Sequence, residues 1–390
     1  MAIRNPIRDQ SCIVGVGHSG CFRDAGVPGG TLVARACMQA IADAGLKPTD
    51  IDGVITSPMP GIAGYDSINC NYLVEMLGLP SVRWWIDHHV GGVPGLGSAC
   101  MAALAVSSGM CDVALACRLN WRPKDKGYGH VSSNRAHGVD SFINPYGYGV
   151  FPQKFSSWYM RYVHEFGVKR EQLGEYVVQS RKNALLNDKP IVAPRQAITM
   201  DDYLNARMIS DPMNLLDCDF PCDGAAAVII TTPERAKTMK QKPVYISAVA
   251  TGQGPHPDFV FWPDYTVMAA HWAAKDIWEK AGIARKDINF QQIYDGFAPF
   301  IFYWMEALGF AKRGEAHEFV GSGALRPTGV LPTNLNGGQL NEGRLHALGH
   351  TVEATLQLQG RAGARQLKKA DAAVVSGGGL TVAAIMVLHR

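Results

Sequence analysis

The sequence predicts an α/β protein whose second half repeats the first. Three observations carry this. Apolar strand patterns alternate with amphipathic helix patterns, the grammar of a layered α/β fold. The segment Ala44-Gly45-Leu46-Lys47-Pro48-Thr49-Asp50-Ile51-Asp52 recurs as Ala281-Gly282-Ile283-Ala284-Arg285-Lys286-Asp287-Ile288-Asn289, each copy following an apolar helix and preceding a strand. Two further features recur in the same order: Gly91-Gly92 with Gly337-Gly338, and Cys111–Ala116 with Ala370–Val375. Matched features in one order mark an internal duplication, with halves at about 1–240 and 241–390.

The elements follow from the N-terminus. Cys12-Ile13-Val14-Gly15-Val16-Gly17 reads as a buried strand ending in glycine. Thr31 to Ala44 reads as an amphipathic helix with Leu32, Ala36, Ile41 and Ala44 on its apolar positions. Thr49 to Ile55 leads into the next strand. The first half is the longer one, through an insertion at about 121–215. Its first part, Trp121 to Tyr162, is rich in aromatic residues and poor in charge, so it is expected to pack over a site or at a subunit contact rather than in open water.

Composition excludes several classes of function. The chain has 390 residues, 47% apolar and 18% charged, enough for a large core and unlike a disordered chain. Lys and Arg number 37 against 34 Asp and Glu, and no dense basic run occurs, which argues against nucleic acid or an anionic membrane as the main partner. No apolar stretch is long enough to span a bilayer, and Met1 to Pro6 carry no leader-like run. Nine scattered cysteines without a CxxC pair fit a reducing cytoplasm better than a disulfide framework. Cys218-x-x-x-Cys222 is the nearest approach to a metal pair, and no second pair accompanies it. The reading expects no metal.

The duplicated order, Asp223-Gly224-Ala225-Ala226-Ala227-Val228-Ile229-Ile230, Asn334-Leu335-Asn336-Gly337-Gly338 and the closing Ser376-Gly377-Gly378-Gly379 resemble the thiolase superfamily over nearly the whole chain. Gly-Gly-Gln-Leu-Asn-Glu-Gly-Arg-Leu-His at 337–346 resembles its sterol-carrier-protein-type branch. The resemblance implies two βαβαβαββ halves, central helices between mixed sheets, and a homodimer.

The family's nucleophilic cysteine falls at Gly92, its catalytic histidine at Arg344 and its second cysteine at Val375. Cys100, the nearest thiol to Gly92, falls about two turns into a helix that starts near Pro94, where a core thiol is expected. Thiolysis needs a thiolate to hold the acyl group, and glycine supplies none. Members of this branch without the cysteines include aldolases of steroid side-chain degradation. The resemblance therefore implies a carbon–carbon lyase that cleaves a bulky β-hydroxyacyl-CoA to a ketone or aldehyde plus acetyl- or propionyl-CoA. Coenzyme A enters as part of the substrate, with no resident cofactor. It also implies a small partner with an OB fold and a zinc ribbon, giving a heterotetramer. A thiolase-type acyltransferase and a non-catalytic acyl-CoA- or lipid-binding subunit remain as alternatives.

Retro-aldol cleavage needs a base for the β-hydroxyl proton and donors for the enolate. Tyr294, in Tyr294-Asp295-Gly296-Phe297 after a strand, is the first candidate for acid/base work, with Asp295 beside it. An ordinary phenol titrates near ~10, so a cation is required nearby, and Arg344 is the expected one. A bridge from Arg344 to Glu342 or Asp295 is its bland alternative. His346 is a further catalytic candidate. His346, His350 and Glu353 share a helical face, a zinc-like spacing at a place where the resemblance expects no metal. Gly91, Gly92, Gly337 and Gly338 are expected to let backbone N–H groups approach the substrate as an oxyanion hole, with His89 of the His88-His89 pair bordering the cavity.

Overall fold

The computed structural model describes residues 5–58, 66–89, 93–122, 138, 140–256 and 260–390. Its strands are β1 (Cys12–Phe22), β2 (Gly53–Thr56), β3 (Trp84–Asp87), β4 (Val113–Asn120), β5 (Met208–Ser210), β6 (Met213–Asn214), β7 (Asp223–Thr231), β8 (Val244–Gln253), β9 (Phe290–Gln292), β10 (Ala372–Gly378) and β11 (Val382–His389). β5 and β6 form a hairpin, and the other nine join one sheet in the order β3-β2-β4-β7-β1-β8-β11-β10-β9.

That order is symmetric about the β1–β8 seam. Outward on one side run β1, β7, β4, β2 and β3; on the other run β8, β11, β10 and β9. Pairing is antiparallel nearest the seam on both sides. It turns parallel further out, at β4–β2–β3 and at β10–β9. The third strand of the second half survives as a single parallel bridge between Gln291 and Thr333. Across the seam itself only Cys12–Tyr245 and Ile13–Val244 are paired.

The recurring segment has the same job in both halves. Gly45 and Gly282 end the preceding helices in the left-handed conformation, at φ 76° and 66°. Short 3-10 turns follow at Pro48–Asp50 and Arg285–Asp287. The last residue of each copy then accepts from the backbone at the start of the next repeated feature. Asp52 takes the N–H groups of Asp112 and Val113 at 3.0 and 2.7 Å, and Asn289 takes those of Asp371 and Ala372 at 2.7 and 3.1 Å.

Side chains alternate between two cores. On β4, Val113, Leu115 and Cys117 face the core under the outer helix Gly29–Ala44, while Ala114 and Ala116 face the central one. The central core holds two helices, Pro94–Ser107 and Leu348–Leu358, which touch strands of both halves. The Pro94–Ser107 helix is buried on nearly every side and carries no charged residue, as an interior helix must. Proline at its first turn and Gly95 and Gly97 behind it permit close contacts: a Cβ at Gly95 would stand 2.4 Å from the His346 carbonyl oxygen.

Of the insertion, residues 123–137 and 139 lie outside the described residues. Two long helices of the rest contribute to the core. Phe151–Phe166 lays Tyr162 on Phe302 at 5.6 Å and Trp158 on Tyr265 at 4.9 Å. The Tyr162 hydroxyl donates to Glu306. Arg170–Leu185 covers the Thr333 segment: Asn183 donates to the Thr333 and Asn334 carbonyls at 3.3 and 3.2 Å, and Ser180 to Gly337 at 2.7 Å. The insertion thus completes the second half instead of standing apart as an arm. Among the described residues, no helix is long and apolar enough to cross a membrane.

Candidate active site

Side chains converge where the parallel strands end, the usual location of sites in open α/β sheets. Tyr294 follows β9 by two residues, and its N–H donates to Ser376 Oγ on β10 at 3.1 Å. The ring is 6% exposed and stacks on Phe300 at 5.8 Å. Phe300 and Phe297 meet Phe155 of the insertion at 5.1 and 4.3 Å, so one part of that segment does wall the site. Burial pushes the Tyr294 phenol up to about 12; Arg344 and Arg118 pull it down, while Asp219 and Asp295 push it up. The expectation that Arg344 makes Tyr294 a base is therefore corrected. Desolvation outweighs the cation, and the phenol keeps its proton at neutral pH.

Arg344 forks onto Asp219, through Nε to Oδ2 and through Nη2 to Oδ1 at 2.5 Å. Its guanidinium lies 5.5 Å from the Phe297 ring centre. Neither Glu342 nor Asp295 is its partner. Glu342 accepts from Asn187 and Asn336 at 3.0 and 2.7 Å, and Asp295 serves another network. Asp219 is placed by backbone pairing: its N–H donates to the Gly296 carbonyl at 3.2 Å, beside a Cys218–Phe297 bridge. The bidentate geometry orients the guanidinium as well as holding it.

Arg118 was missed from the sequence. It lies in the second half of β4 on the face of Ala114 and Ala116, is 4% exposed, and donates from Nη1 to the Ser57 carbonyl at 2.7 Å. Burial lowers it to about 10, against the raising influence of Cys117, Cys222 and Tyr294. It remains a cation at neutral pH. An arginine interrupting the apolar run Val113-Ala114-Leu115-Ala116-Cys117 before Leu119 was the available signal.

His346 sits in the left-handed region at φ 51°, followed by Ala347 at φ 66°, an uncommon pair of non-glycine residues. The His346 carbonyl accepts from Leu96 N–H at 3.0 Å, tying the two central helices together. Its Nδ1 is buried without a hydrogen-bond partner. Burial, then Arg118 and Arg344, hold the imidazole well below its ordinary proton affinity, so it is neutral at pH 7.

Two expectations about the second Gly-Gly pair are corrected. Asp295 is fully buried and accepts from the Tyr176 hydroxyl at 2.6 Å and from Gln339 N–H at 2.7 Å. It has a framework role, and the helix N-terminus expected to meet substrate oxygen is already occupied by its carboxylate. A Cβ at Gly338 would lie 1.9 Å from Asp295 Oδ2, and one at Gly337 would lie 2.3 Å from Ala184 Cβ. These glycines serve internal packing. Gly91 and Gly92 lie outside the described residues. His89 points to solvent, whereas His88 turns inward. His350 Nε2 lies 3.5 Å from Asp295, and Glu353 pairs with Arg365 at 3.1 Å. Among the described residues no group of His, Cys, Asp and Glu could hold a metal, and every cysteine is free.

The positions of thiolase chemistry hold no accessible nucleophile among the described residues. Cys100 is fully buried in the Pro94–Ser107 helix, and burial pushes its thiol up to about 12. Val375 is fully buried inside β10.

Residues 253–390 match the family described as thiolase C-terminal domain-like. The chain is 31% identical to the 17-hydroxy-3-oxo-4-pregnene-20-carboxyl-CoA lyase of Mycobacterium tuberculosis over 366 residues, covering 90% of this chain and 92% of that relative. The chain belongs to the thiolase superfamily. Within that superfamily it is also 30% identical to the steroid side-chain-cleaving aldolase of Thermomonospora curvata, with 90% of each chain covered. Its structure resembles the Ltp2-ChsH2(DUF35) aldolase with a TM-score of 0.89 at 27% identity, covering 98% of both chains. Human mitochondrial 3-ketoacyl-CoA thiolase shares the thiolase fold at a TM-score of 0.67 and 16% identity.

Proposed function

We propose that this thiolase-superfamily chain is a carbon–carbon lyase that performs retro-aldol cleavage of a bulky β-hydroxyacyl-CoA. The products are a ketone or aldehyde and a short acyl-CoA such as acetyl- or propionyl-CoA, and the acyl part is a steroid or another bulky ring. The observation that carries the reading is Tyr294: a buried phenol that keeps its proton, within the electrostatic reach of Arg344 and Arg118, in a site with no accessible thiol among the described residues. The similarity to relatives named as a steroid acyl-CoA lyase and a steroid side-chain-cleaving aldolase supports it.

The chemistry follows from charge. As the bond between the α- and β-carbons breaks, its electrons move onto the thioester as an enolate. The cations of Arg344 and Arg118 favour that charge in a desolvated setting. Tyr294 then gives its proton to the α-carbon. Asp219 sets the direction in which Arg344 presents its charge.

A similar aldolase is named for two components, which supports a small second protein here, the OB-fold and zinc-ribbon type that the family resemblance implies. Edge strand β3, with Trp85 58% exposed, is the place for a homodimer contact.

The test is chromatographic, on the chain alone and with its small partner. One tube holds a bulky β-hydroxyacyl-CoA without free CoA, the other a β-ketoacyl-CoA with free CoA. The expected result is carbonyl compound and short acyl-CoA in the first tube alone. CoA-dependent cleavage in the second would establish a thiolase instead. Tyr294→Phe is expected to lower kcat by about 100-fold or more while substrate still binds.

A further inference from the structure

We infer that His88 is the base of this reaction, taking the β-hydroxyl proton on its Nε2, with Ser98 as its positioning residue. The inference rests on the aldolase reading above and assigns the half of the chemistry that Tyr294 cannot perform.

The argument starts from a hydrogen count. A serine hydroxyl has one hydrogen to give. Ser98 Oγ donates it to the Pro94 carbonyl at 2.6 Å, one turn back in its own helix. His88 Nδ1 lies 3.2 Å from the same Oγ. That contact is a hydrogen bond only if Nδ1 carries the proton, so the neutral ring has its lone pair on Nε2. Ser98 is fully buried, which keeps water from competing for the contact.

The ring is placed by backbone on both sides. His88 N–H donates to the Thr56 carbonyl at 2.8 Å, prolonging the β2–β3 register. A Cβ at Gly97 would stand 2.6 Å from His88 Cε1, so the glycine gives the imidazole its seat on the helix. Arg118 binds the next carbonyl, Ser57, so His88 and Arg118 hang from consecutive residues at the end of β2. Arg118 in turn acts electrostatically on both Tyr294 and His346. At the same end of the helix Leu96 N–H donates to the His346 carbonyl at 3.0 Å, so His88 from the first half and His346 from the second pack against neighbouring residues, Gly97 and Leu96.

The surroundings keep the base neutral. Burial lowers its proton affinity, the Pro94 carbonyl raises it, and the neighbouring His89 and Arg118 lower it. The helix packed on it contributes no charged side chain. The other groups are unsuited: Tyr294 retains its proton, the two arginines are cations, and Asp219 is committed to Arg344. His346 is neutral too, but nothing fixes its tautomer at Nδ1.

The proton balance closes. The β-hydroxyl loses its proton to Nε2, the carbon–carbon bond breaks, and a C=O forms on the departing ketone or aldehyde. The enolate takes a proton from Tyr294, and the imidazolium proton returns to the phenolate.

The test uses the full chain with its small partner and a β-hydroxyacyl-CoA that the wild type cleaves. His88→Gln is expected to lower kcat/KM by about 100-fold or more and to remove the acid limb expected of the wild type below the ordinary imidazole range, where burial has lowered the proton affinity of His88. Ser98→Ala, which keeps the ring but frees its tautomer, is expected to cost about tenfold and to move that acid limb. Imidazole added to His88→Ala is expected to restore part of the rate, which a merely structural histidine would not allow. His88→Gln within about threefold of wild type, or an acid limb unchanged in both variants, would overturn the assignment. An acid limb lost in His346→Gln instead would also overturn it. A wild type that cleaves no β-hydroxyacyl-CoA brings down the lyase reading itself, whereas active wild type with unaffected His88 variants brings down only His88.

Discussion

At one end of the nine-stranded sheet, β3 has no further strand beside it among the described residues, and Trp85 is exposed. At the equivalent place in the second half a third strand is reduced to the Thr333 bridge, and the helix Arg170–Leu185 closes over it. Asn334 is the hinge of that closure. It is fully buried at φ 50°, donates to the Tyr176 hydroxyl at 2.6 Å and the Ile293 carbonyl at 2.9 Å, and accepts from Ile293 N–H at 2.7 Å. The two copies share one plan, and the insertion supplies the second with an internal cover that the first lacks among the described residues. An exposed strand edge invites another chain, and a covered one does not.

Three substitutions separate the two edges, and each can be read from a urea titration with sedimentation alongside. Asn334→Ala removes all three bonds, leaves the buried Ile293 N–H and carbonyl without these partners, and puts a Cβ residue without a polar handle in the left-handed region. A loss of about 4 kcal/mol is expected, and a loss under about 1 kcal/mol would mean that the cover is dispensable. Asn183→Ala removes two weaker contacts to the same segment, and about 1–2 kcal/mol is expected. Trp85→Lys on the open edge is expected to change protomer stability by no more than about 0.5 kcal/mol, yet to weaken self-association. An unchanged sedimentation profile would place the dimer contact elsewhere.

The scaffold was largely legible because its repeat is local. Gly45 and Gly282, the turns after them, and Asp52 and Asn289 are each set by a few adjacent residues. Tyr294 and Arg344 were also legible as candidates, since both follow strand and glycine signals. Their chemistry was not legible. Asp219 and Arg344 are 125 residues apart, so their pairing is a tertiary contact that no local pattern encodes. The extent of desolvation around Tyr294 depends on Phe297, Phe300 and Phe155, which come from different elements. His89 was chosen over His88 although strand alternation continues past β3: Trp85 and His89 face solvent. Adjacent tryptophans at 84 and 85 hid that alternation, because both are apolar.

The seam between the halves has its own consequence. Only two residue pairs join β1 to β8, whereas both central helices reach strands on either side. What unites the halves is therefore the interdigitated middle layer rather than the continuous sheet. A chain nicked in the short connection between β7 and β8 would lose little of that layer. Its two fragments are a natural pair for complementation, neither able to shield its own central helix in isolation, each offering the other the surface it needs.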